Sequence, residues 1–455
     1  MKSKSSRRFF LQNMAAGAAA LATGGCRTAG GVSGKTRPNV LFILTDDQRE
    51  DTVGALRNAH IHTPHLDELA RGGVVFTNAY CMGGFSGAVC LPSRMMVLRG
   101  RSWFSVRDLP AGFANLPSSM GAAGYQTFHV GKMGNTDVEV QALFEESLYV
   151  KPKRSTGPLP KNCDELVRRE GLPGEHVTDS AIDFLGRRDK SRPFFMYLAG
   201  PEPHDPRVAP TEYLDLYDVD KIPLPPNFLP RHPFDNGELA IRDEQLAGWP
   251  RTEREIREHL RDYYAVITYM DVQFGRIFQA LKDSGEYENT IIVFSSDQGI
   301  AIGSHGLMGK QNLYEHSMGV PLIFAGPGIP RGKRVDAFAY LFDVFPTLCE
   351  LVGAPAPAGI EGKSLAPVIR GKQDGVRNTI FLAYRDVQRA VRKGDWKLIR
   401  YPKVDKTQLF NLHNDPYEMN DLAADGQQAQ RVKELLAAMK EQQRLYGDTA
   451  MLNAE

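Results

Sequence analysis

Two apolar runs in this 455-residue chain end directly in hard oxygen donors. Asn39–Leu44 (NVLFIL) leads into Thr45-Asp46-Asp47-Gln48, and Thr290–Ser295 (TIIVFS) into Ser296-Asp297-Gln298-Gly299. Two adjacent carboxylates favour a cation that offsets their repulsion. Asp46, Asp47, Asp297 and Gln298 suit Ca2+ or Mg2+, whereas His and Cys sites suit zinc and softer ions. Cys90 lies elsewhere, in Gly87–Arg101 (GAVCLPSRMMVLRGR), with Arg94 close behind. Pro92 fixes its own backbone angle and biases Leu91 away from helix, which predicts an extended or turning segment at Cys90 and a helix from Ser93. On local sequence alone, such a free thiol reads as a buried structural residue. A thiolate is also a poor ligand for a hard cation, so Cys90 fits this site only as something other than a plain thiol. Lys132 after Gly131, His204 in a proline-stiffened loop and Lys310 in GSHGLMGKQNLYEH are further chemically able residues. A lysine at a strand end could hold an oxyanion; a solvated lysine is the ordinary alternative.

The elements that must bring these residues together alternate between strand and helix. NVLFIL, Tyr125–Val130, Pro193–Leu198 (PFFMYL), TIIVFS and Val320–Ala325 are continuous apolar runs, the pattern of strands buried on both faces. VVFTNAY adds another strand. Helices are expected over Thr63–Ala70, with Thr63 as N-cap and Pro64 at the first position, and over Leu116–Gly124 and Asp343–Val352. Thr252–Ser284 is strongly helical, with Tyr264, Ile267, Met270, Phe274, Ile277 and Leu281 on one apolar face. Open α/β sheets take their ligands at the carboxyl ends of strands, and His204 follows PFFMYL at that same rim. The alternation predicts an α/β fold, a three-layer αβα sandwich around a mostly parallel sheet. Residues 209–250 are proline-rich and irregular. Short strand-like pieces at Thr379–Ala383, Ala390–Lys393, Trp396–Tyr401 and Gln408–Asn411, then an amphipathic helix over Ala429–Leu445, mark 375–455 as a small α+β subdomain beside a catalytic domain over 32–374.

Charge is balanced, with 55 basic against 54 acidic residues, so no global basic field argues for nucleic acid. Five cysteines without close spacing argue against a disulfide framework or a zinc module. Residues 1–31 read as an address: Ser6-Arg7-Arg8-Phe9-Phe10-Leu11 matches the twin-arginine export pattern, and the Ala-rich run that follows is too short to span a bilayer. Cys26 closes LATGGC, which resembles a lipoprotein cleavage site. The expectation is an exported protein, periplasmic or at the cell surface, touching membrane only through an N-terminal lipid.

The chain resembles the type I, formylglycine-dependent sulfatases of the alkaline phosphatase-like superfamily. Cys90-Leu91-Pro92-Ser93-Arg94 matches their C-x-P-S-R signature, and Arg99-Gly100-Arg101 stands where Thr-Gly-Arg is usual. The similarity extends through RPNVLFILTDDQ, TPHLDELARGGVVFTNAY, GYQTFHVGK, the PHDP loop, SSDQG, HGLMGKQNLYEH and QLFNLHNDPYEMNDLA. It implies that a formylglycine-generating enzyme, or an equivalent, oxidises Cys90 to formylglycine, which replaces sulfur with oxygen. One hydroxyl of the hydrated aldehyde would coordinate the metal and attack a sulfate ester; the other would later expel sulfate. Asp46, Asp47, Cys90, Asp297 and Gln298 map to the ligands of one Ca2+, Arg94 to the residue orienting formylglycine, Lys132 and Lys310 to sulfate-binding lysines, and His204 to a candidate general acid. The implied substrate is a sulfated carbohydrate. Two departures stand out. Gln298 replaces the usual Asn or His, and Lys132 is followed by Met133-Gly134-Asn135 instead of Trp-His. Asn135 as a substrate contact, or His305 or His316 as a substitute for the missing histidine, would fill the gap, and each reads first as a loop-stabilising residue. A phosphonate or phosphate monoester hydrolase of the same superfamily, and a non-catalytic relative that binds sulfated glycan, are the alternative readings.

Overall fold

The structure, a computed structural model, describes residues 37–56, 58–110, 112–113, 115–132, 134–150 and 172–452. The export segment and Cys26 lie outside these residues. The strands are β1 (Asn39–Thr45), β2 (Gly73–Tyr80), β3 (Gly83–Gly84), β4 (Gln126–Lys132), β5 (Glu146–Val150), β6 (Phe194–Ala199), β7 (Thr290–Ser296), β8 (Leu322–Ala325) and β9 (Lys333–Tyr340). After them come β10 (Thr379–Tyr384), β11 (Gln388–Lys393), β12 (Trp396–Tyr401) and β13 (Lys406–Asn411).

One sheet has eight strands in the order β5-β4-β6-β1-β7-β8-β2-β9. All neighbours pair in parallel except β8, which runs against both β7 and β2. The four central strands β4, β6, β1 and β7 therefore present their carboxyl ends side by side. In register, Thr45 pairs with Ser296, so the residues that follow β1 and β7 emerge level with each other.

The six longest helices among the described residues are α1 (Pro64–Gly72), α2 (Cys90–Arg99), α3 (Pro173–Arg187), α4 (Glu253–Asp283), α5 (Val344–Val352) and α6 (Ala429–Tyr446). Alternation along β1 assigns them to two faces. Val40, Phe42 and Leu44 pack into one apolar cluster with Met96, Val97 and Leu98 of α2 and with Phe345 and Leu348 of α5. Leu41 and Ile43 pack into another with Leu66 of α1, Phe184 of α3, and Val266, Met270 and Ile277 of α4. Helices thus cover both faces, as expected. The second sheet, β13-β12-β11-β10-β3, is a run of hairpins with β3 added in parallel at its edge. Its Ile380, Leu382, Val391 and Leu398 belong to the same cluster as Val40 and Phe42, so the core is continuous where the sheets change. Among the described residues, no helix is long and apolar enough to cross a membrane.

The structure adds to and corrects the expected elements. β5 and β9 were not foreseen, and both are edges of the large sheet. An edge strand tolerates polar residues, so ESLYV and KRVDAFAY lack the continuous apolar run that marks the central strands. Thr63 does not cap α1 through its side chain, which accepts from Gly54 N instead. The buried Asp271 of α4 takes that part, accepting from His65 N (3.0 Å) and Leu66 N (2.7 Å). Burial pushes its carboxyl up to about 7, against the pull of those two amides. A raised acid favours the folded state while it is protonated, and that contribution is lost as pH rises from about 4 through 7. Asp271→Asn should therefore flatten the fall of the melting midpoint over this range, and a slope equal to that of the parent chain would contradict the assignment.

Candidate active site

The chemically able side chains are delivered by the carboxyl ends of central strands, by the first two turns of α2 and, for Lys310, by the loop between β7 and β8. Asp46 and Asp47 follow β1, Lys132 is the last residue of β4, His204 follows β6, and Asp297 and Gln298 follow β7. Neighbouring residues on extended backbone point apart, and Asp47 overcomes this with a left-handed conformation at φ 65°. That uncommon geometry is held on three sides. Asp47 N donates to Asp297 Oδ1 (3.1 Å), its carbonyl accepts from Tyr263 Oη (2.6 Å), and Gln48 N donates to Ser296 Oγ (2.8 Å).

Cys90 is the first residue of α2, which corrects the expected extended segment there. Pro92 is accommodated because amides of a first helical turn have no intrahelical partner to lose. The approach to Cys90 is anchored by the second sheet: β3 pairs with β10, and Ala383 N donates to Met82 O (2.9 Å). Gly84 is required by close packing, since a Cβ there would lie 2.4 Å from Pro92 Cγ.

The side chains converge tightly. Ligand atoms of Asp46, Asp47, Cys90 and Asp297 all lie within 4.8 Å of one another. Cys90 Sγ is 3.2 Å from Asp46 Oδ1, 3.1 Å from Gln298 Nε2 and 3.4 Å from Lys310 Nζ. Arg94 is fully buried and spans two carboxylates, with Nε on Asp297 Oδ2 (2.9 Å) and Nη2 on Asp46 Oδ2 (3.1 Å). Lys132 Nζ contacts Asp46 Oδ2 directly, and Lys310 Nζ donates to both oxygens of Asp47 at 2.8 Å. Three buried carboxylates thus meet three buried cations. In a site whose charges already balance, a divalent cation and an anionic substrate would offset each other.

The electrostatics follow from burial and these contacts. Burial opposes ionisation of Asp46, but Lys132 and Arg94 overcome it and hold the carboxyl well below its ordinary value. Burial, with Asp46 beside it, moves Asp297 the other way, upward. Burial tends to discharge Lys310 and Lys132, yet Asp47 and Asp46 respectively keep them charged, above the usual lysine range. Burial and then Asp46 push the Cys90 thiol well up, so as a plain thiol it stays protonated. Such a group is a weak nucleophile.

Do these residues fit a hard cation? Gln298 supplies the clearest answer. Its Nε2 donates to Asp47 Oδ1 (2.6 Å), while its Oε1 is buried without any hydrogen-bond partner. A buried amide oxygen next to three carboxylates is a ready oxygen ligand, and turning the amide over would direct it into the cluster. The donor set fits Ca2+ or Mg2+.

His204 stands at the cluster's open side. Its Nε2 lies 3.7 Å from Asp47 Oδ2 and its Nδ1 2.7 Å from the carbonyl of Asp205. The Glu202–Pro203 and Asp205–Pro206 peptide bonds on either side are cis. A cleft of about 390 Å³ opens above Cys90 and is lined also by Asn135, His204, Arg242, Asp243, Lys310 and Gln311. Asn135 therefore reaches the cleft, whereas His305 and His316 do not line it. Those two are buried in a ring cluster: His305 stacks on Tyr314 (3.9 Å between centroids), its Nδ1 lies 3.2 Å from His316 Nε2, and its Nε2 bonds the Glu418 carbonyl. Burial holds both imidazoles below their ordinary value, hence neutral. They join the site's loop to the carboxyl-terminal part of the chain.

Two cleft residues, Arg242 and Asp243, carried no signal in the sequence. They lie in a short 3-10 turn, Arg242–Leu246, inside the irregular 209–250 stretch, where no periodicity marks which side chains turn inward.

Comparison with known proteins agrees with this geometry. The family model described as Sulfatase matches residues 38–354, and one described as N-sulphoglucosamine sulphohydrolase, C-terminal, matches 303–445. An N-acetylglucosamine-6-O-sulfatase of Bacteroides thetaiotaomicron is 27% identical over 90% of this chain and 87% of its own length. A protein solved in complex with its substrate, D-glucosamine-2-N,6-O-disulfate, shares the fold with a TM-score of 0.75 at 24% identity, over 92% of this chain and all of that one. So does a phosphonate monoester hydrolase of Agrobacterium radiobacter, with a TM-score of 0.72 at 23% identity, over 89% of this chain and 96% of that one.

Proposed function

Since the chain belongs to the sulfatase family and is a sulfuric ester hydrolase, we propose that it cleaves sulfate esters of carbohydrate with a nucleophile made from Cys90. One observation carries the reading: Cys90 Sγ sits among three carboxylates and Lys310, where a protonated thiol has no task. Formylglycine derived from Cys90 would supply, as its hydrate, an oxygen nucleophile, and a Ca2+ ion held by Asp46, Asp47, Asp297 and Gln298 would supply positive charge beside it. Arg94 fixes Asp46 and Asp297 from below, so that both carboxylates keep their direction. Lys132 and Lys310 flank Cys90 and act on the nonbridging oxygens of the sulfate, where charge develops during the reaction. His204 lines the cleft with Nε2 3.7 Å from Asp47 Oδ2, and in its charged form it donates from Nε2 the proton that the departing sugar oxygen needs. A sugar substrate accords with the names of the N-acetylglucosamine-6-O-sulfatase and of the glucosamine disulfate complex. Maturation by a formylglycine-generating enzyme and export through the twin-arginine segment belong to the same proposal.

Turnover assays decide it. Chain carrying the modified Cys90 should hydrolyse a sugar sulfate in preference to a matched phosphate or phosphonate ester. Preference for either phosphorus ester would overturn the reading in favour of the phosphonate hydrolases that share this fold. Sulfated glycan bound without turnover, with formylglycine confirmed, would point to a binding protein.

Cation removal gives a readout independent of activity. A ligand at about a hundred times its dissociation constant stabilises by about 2.7 kcal/mol. Dialysis against a chelator should accordingly lower the melting midpoint by about 2–4 °C, with recovery on adding Ca2+. An unchanged midpoint would contradict the cation site.

A further inference from the structure

The cleft rim contains a connected set of charged groups that the reaction as described does not use. Arg242 grips the Asp205 carboxylate with both terminal nitrogens, Nη1 lying 3.0 Å from Oδ1 and Nη2 on Oδ2. The same Nη1 reaches Asp243 Oδ1 at 2.9 Å. Asp243 Oδ2 then accepts from Gln311 Nε2 (2.8 Å) and lies 4.0 Å from Lys310 Nζ. Gln311 Nε2 also donates to the carbonyl of Gly87, three residues ahead of Cys90. On its other side, Asp205 touches His204: the carbonyl is 2.7 Å from Nδ1 and Oδ1 is 3.4 Å from it. Two acceptors at Nδ1 hold one proton there, so the proton that the charged ring passes on is the second one, on Nε2, the nitrogen beside the reaction centre. Among the described residues, Arg242 and the His204 ring are the partners of the Asp205 carboxylate.

We infer that Arg242 is a positioning residue: through Asp205 it fixes the ring orientation and tautomer of His204, and through Asp243 it ties the His204 loop to the Lys310–Gln311 side of the cleft. The inference rests on the proposed role of His204 as proton donor. With no histidine in the usual place after Lys132, His204 is the imidazole that lines the cleft among the described residues, so its aim has unusual weight. The Arg242 side chain is 54% exposed, and ion pairs this open add little to stability. Its loss should be felt in the reaction far more than in the fold.

The test compares the parent chain with Arg242→Ala and Arg242→Lys on two sulfate esters. One is a sugar sulfate, whose alkoxide leaves poorly without a proton; the other is 4-nitrophenyl sulfate, whose phenolate leaves unaided. General acids contribute about 10²–10⁴-fold, so a misaimed one should cost Arg242→Ala about 10–10²-fold in kcat on the sugar sulfate and less than about threefold on the aryl ester. KM and the melting midpoint should hold, and Arg242→Lys should recover part of the loss. Equal losses on both esters, a loss confined to KM, or no loss would each overturn the inference. A second readout needs no turnover. In chain labelled with 15N-histidine, with His204 assigned through His204→Gln, the neutral ring of the parent should be a single Nδ1-protonated tautomer, and that of Arg242→Ala a mixture of tautomers. An unchanged ring would overturn the inference. A parent chain inactive on both esters would overturn the sulfatase reading, while the ring spectrum still decides the role of Arg242.

Discussion

Cys90→Ala is expected to reduce sulfate ester hydrolysis to background while leaving the fold in place. Enzymes accelerate such reactions by about 10⁶-fold or more, and a covalent nucleophile shares in most of that gain, so the expected loss is at least about 10⁵-fold. The structural cost is small for a local reason. Sγ is a minor contact in a pocket held by Arg94, Lys132 and Lys310, and each of those ion pairs survives the change. α2 also keeps its apolar anchors, Met96, Val97 and Leu98. The melting midpoint should stay within about 1–2 °C of the parent, the shift expected from no more than about 1 kcal/mol in a chain of this size. Retained hydrolysis would show that the nucleophile lies elsewhere, and a collapsed fold would make Cys90 the structural thiol that its local sequence resembles.

Lys310→Ala carries the second large effect, and it acts on reaction and fold together. Nζ donates to both Asp47 oxygens at 2.8 Å, in a place almost closed to solvent. Removing it leaves Asp47 buried with one cation fewer, a change that typically costs about 3–5 kcal/mol. On the proposed mechanism it also deletes a donor to the nonbridging sulfate oxygens, and single donors of that kind are worth about 10²–10³ in kcat. Both losses should appear, and Ca2+ should restore part of the stability and none of the rate, because a cation can neutralise Asp47 without reaching the ester as Lys310 does. Lys310→Arg should not rescue the rate, since a planar guanidinium does not occupy the volume of an ammonium. Full rate in either variant would remove Lys310 from the sulfate site.

The contrast between legible and hidden parts of this chain has a physical basis. Central strands announce themselves because both faces are buried, so NVLFIL, PFFMYL and TIIVFS are apolar without interruption. The charged residues behind them then mark the ligand edge, and Asp46, Asp47, Asp297 and Gln298 come together as their positions foretell. The edge strands β5 and β9 were invisible because an edge demands less. The start of α2 at Cys90 was hidden by Pro92, whose bias against preceding helix yields in a first turn. Backbone detail was hidden as well: nothing in Asp46-Asp47 reveals the φ of 65° that turns both carboxylates onto one point. Arg242 and Asp243 depend on contacts with Asp205 and Gln311, 37 and 68 residues away, within a stretch that lacks periodicity. Cys90 is the instructive case. Its neighbours in sequence favour an inert thiol, and its neighbours in space are three carboxylates that could hold a metal ion, with two ammonium groups beside them.

That spatial setting makes one claim central: Cys90 acts only after it has ceased to be a cysteine. The mass of the Cys90-containing peptide, measured on catalytically active protein, tests it most directly. The account requires a peptide in which the thiol has been exchanged for an aldehyde, trapped as a hydrazone by a hydrazine reagent and absent from Cys90→Ala. Active protein whose Cys90 peptide has the mass of an unmodified thiol, and does not react with the hydrazine, would contradict it.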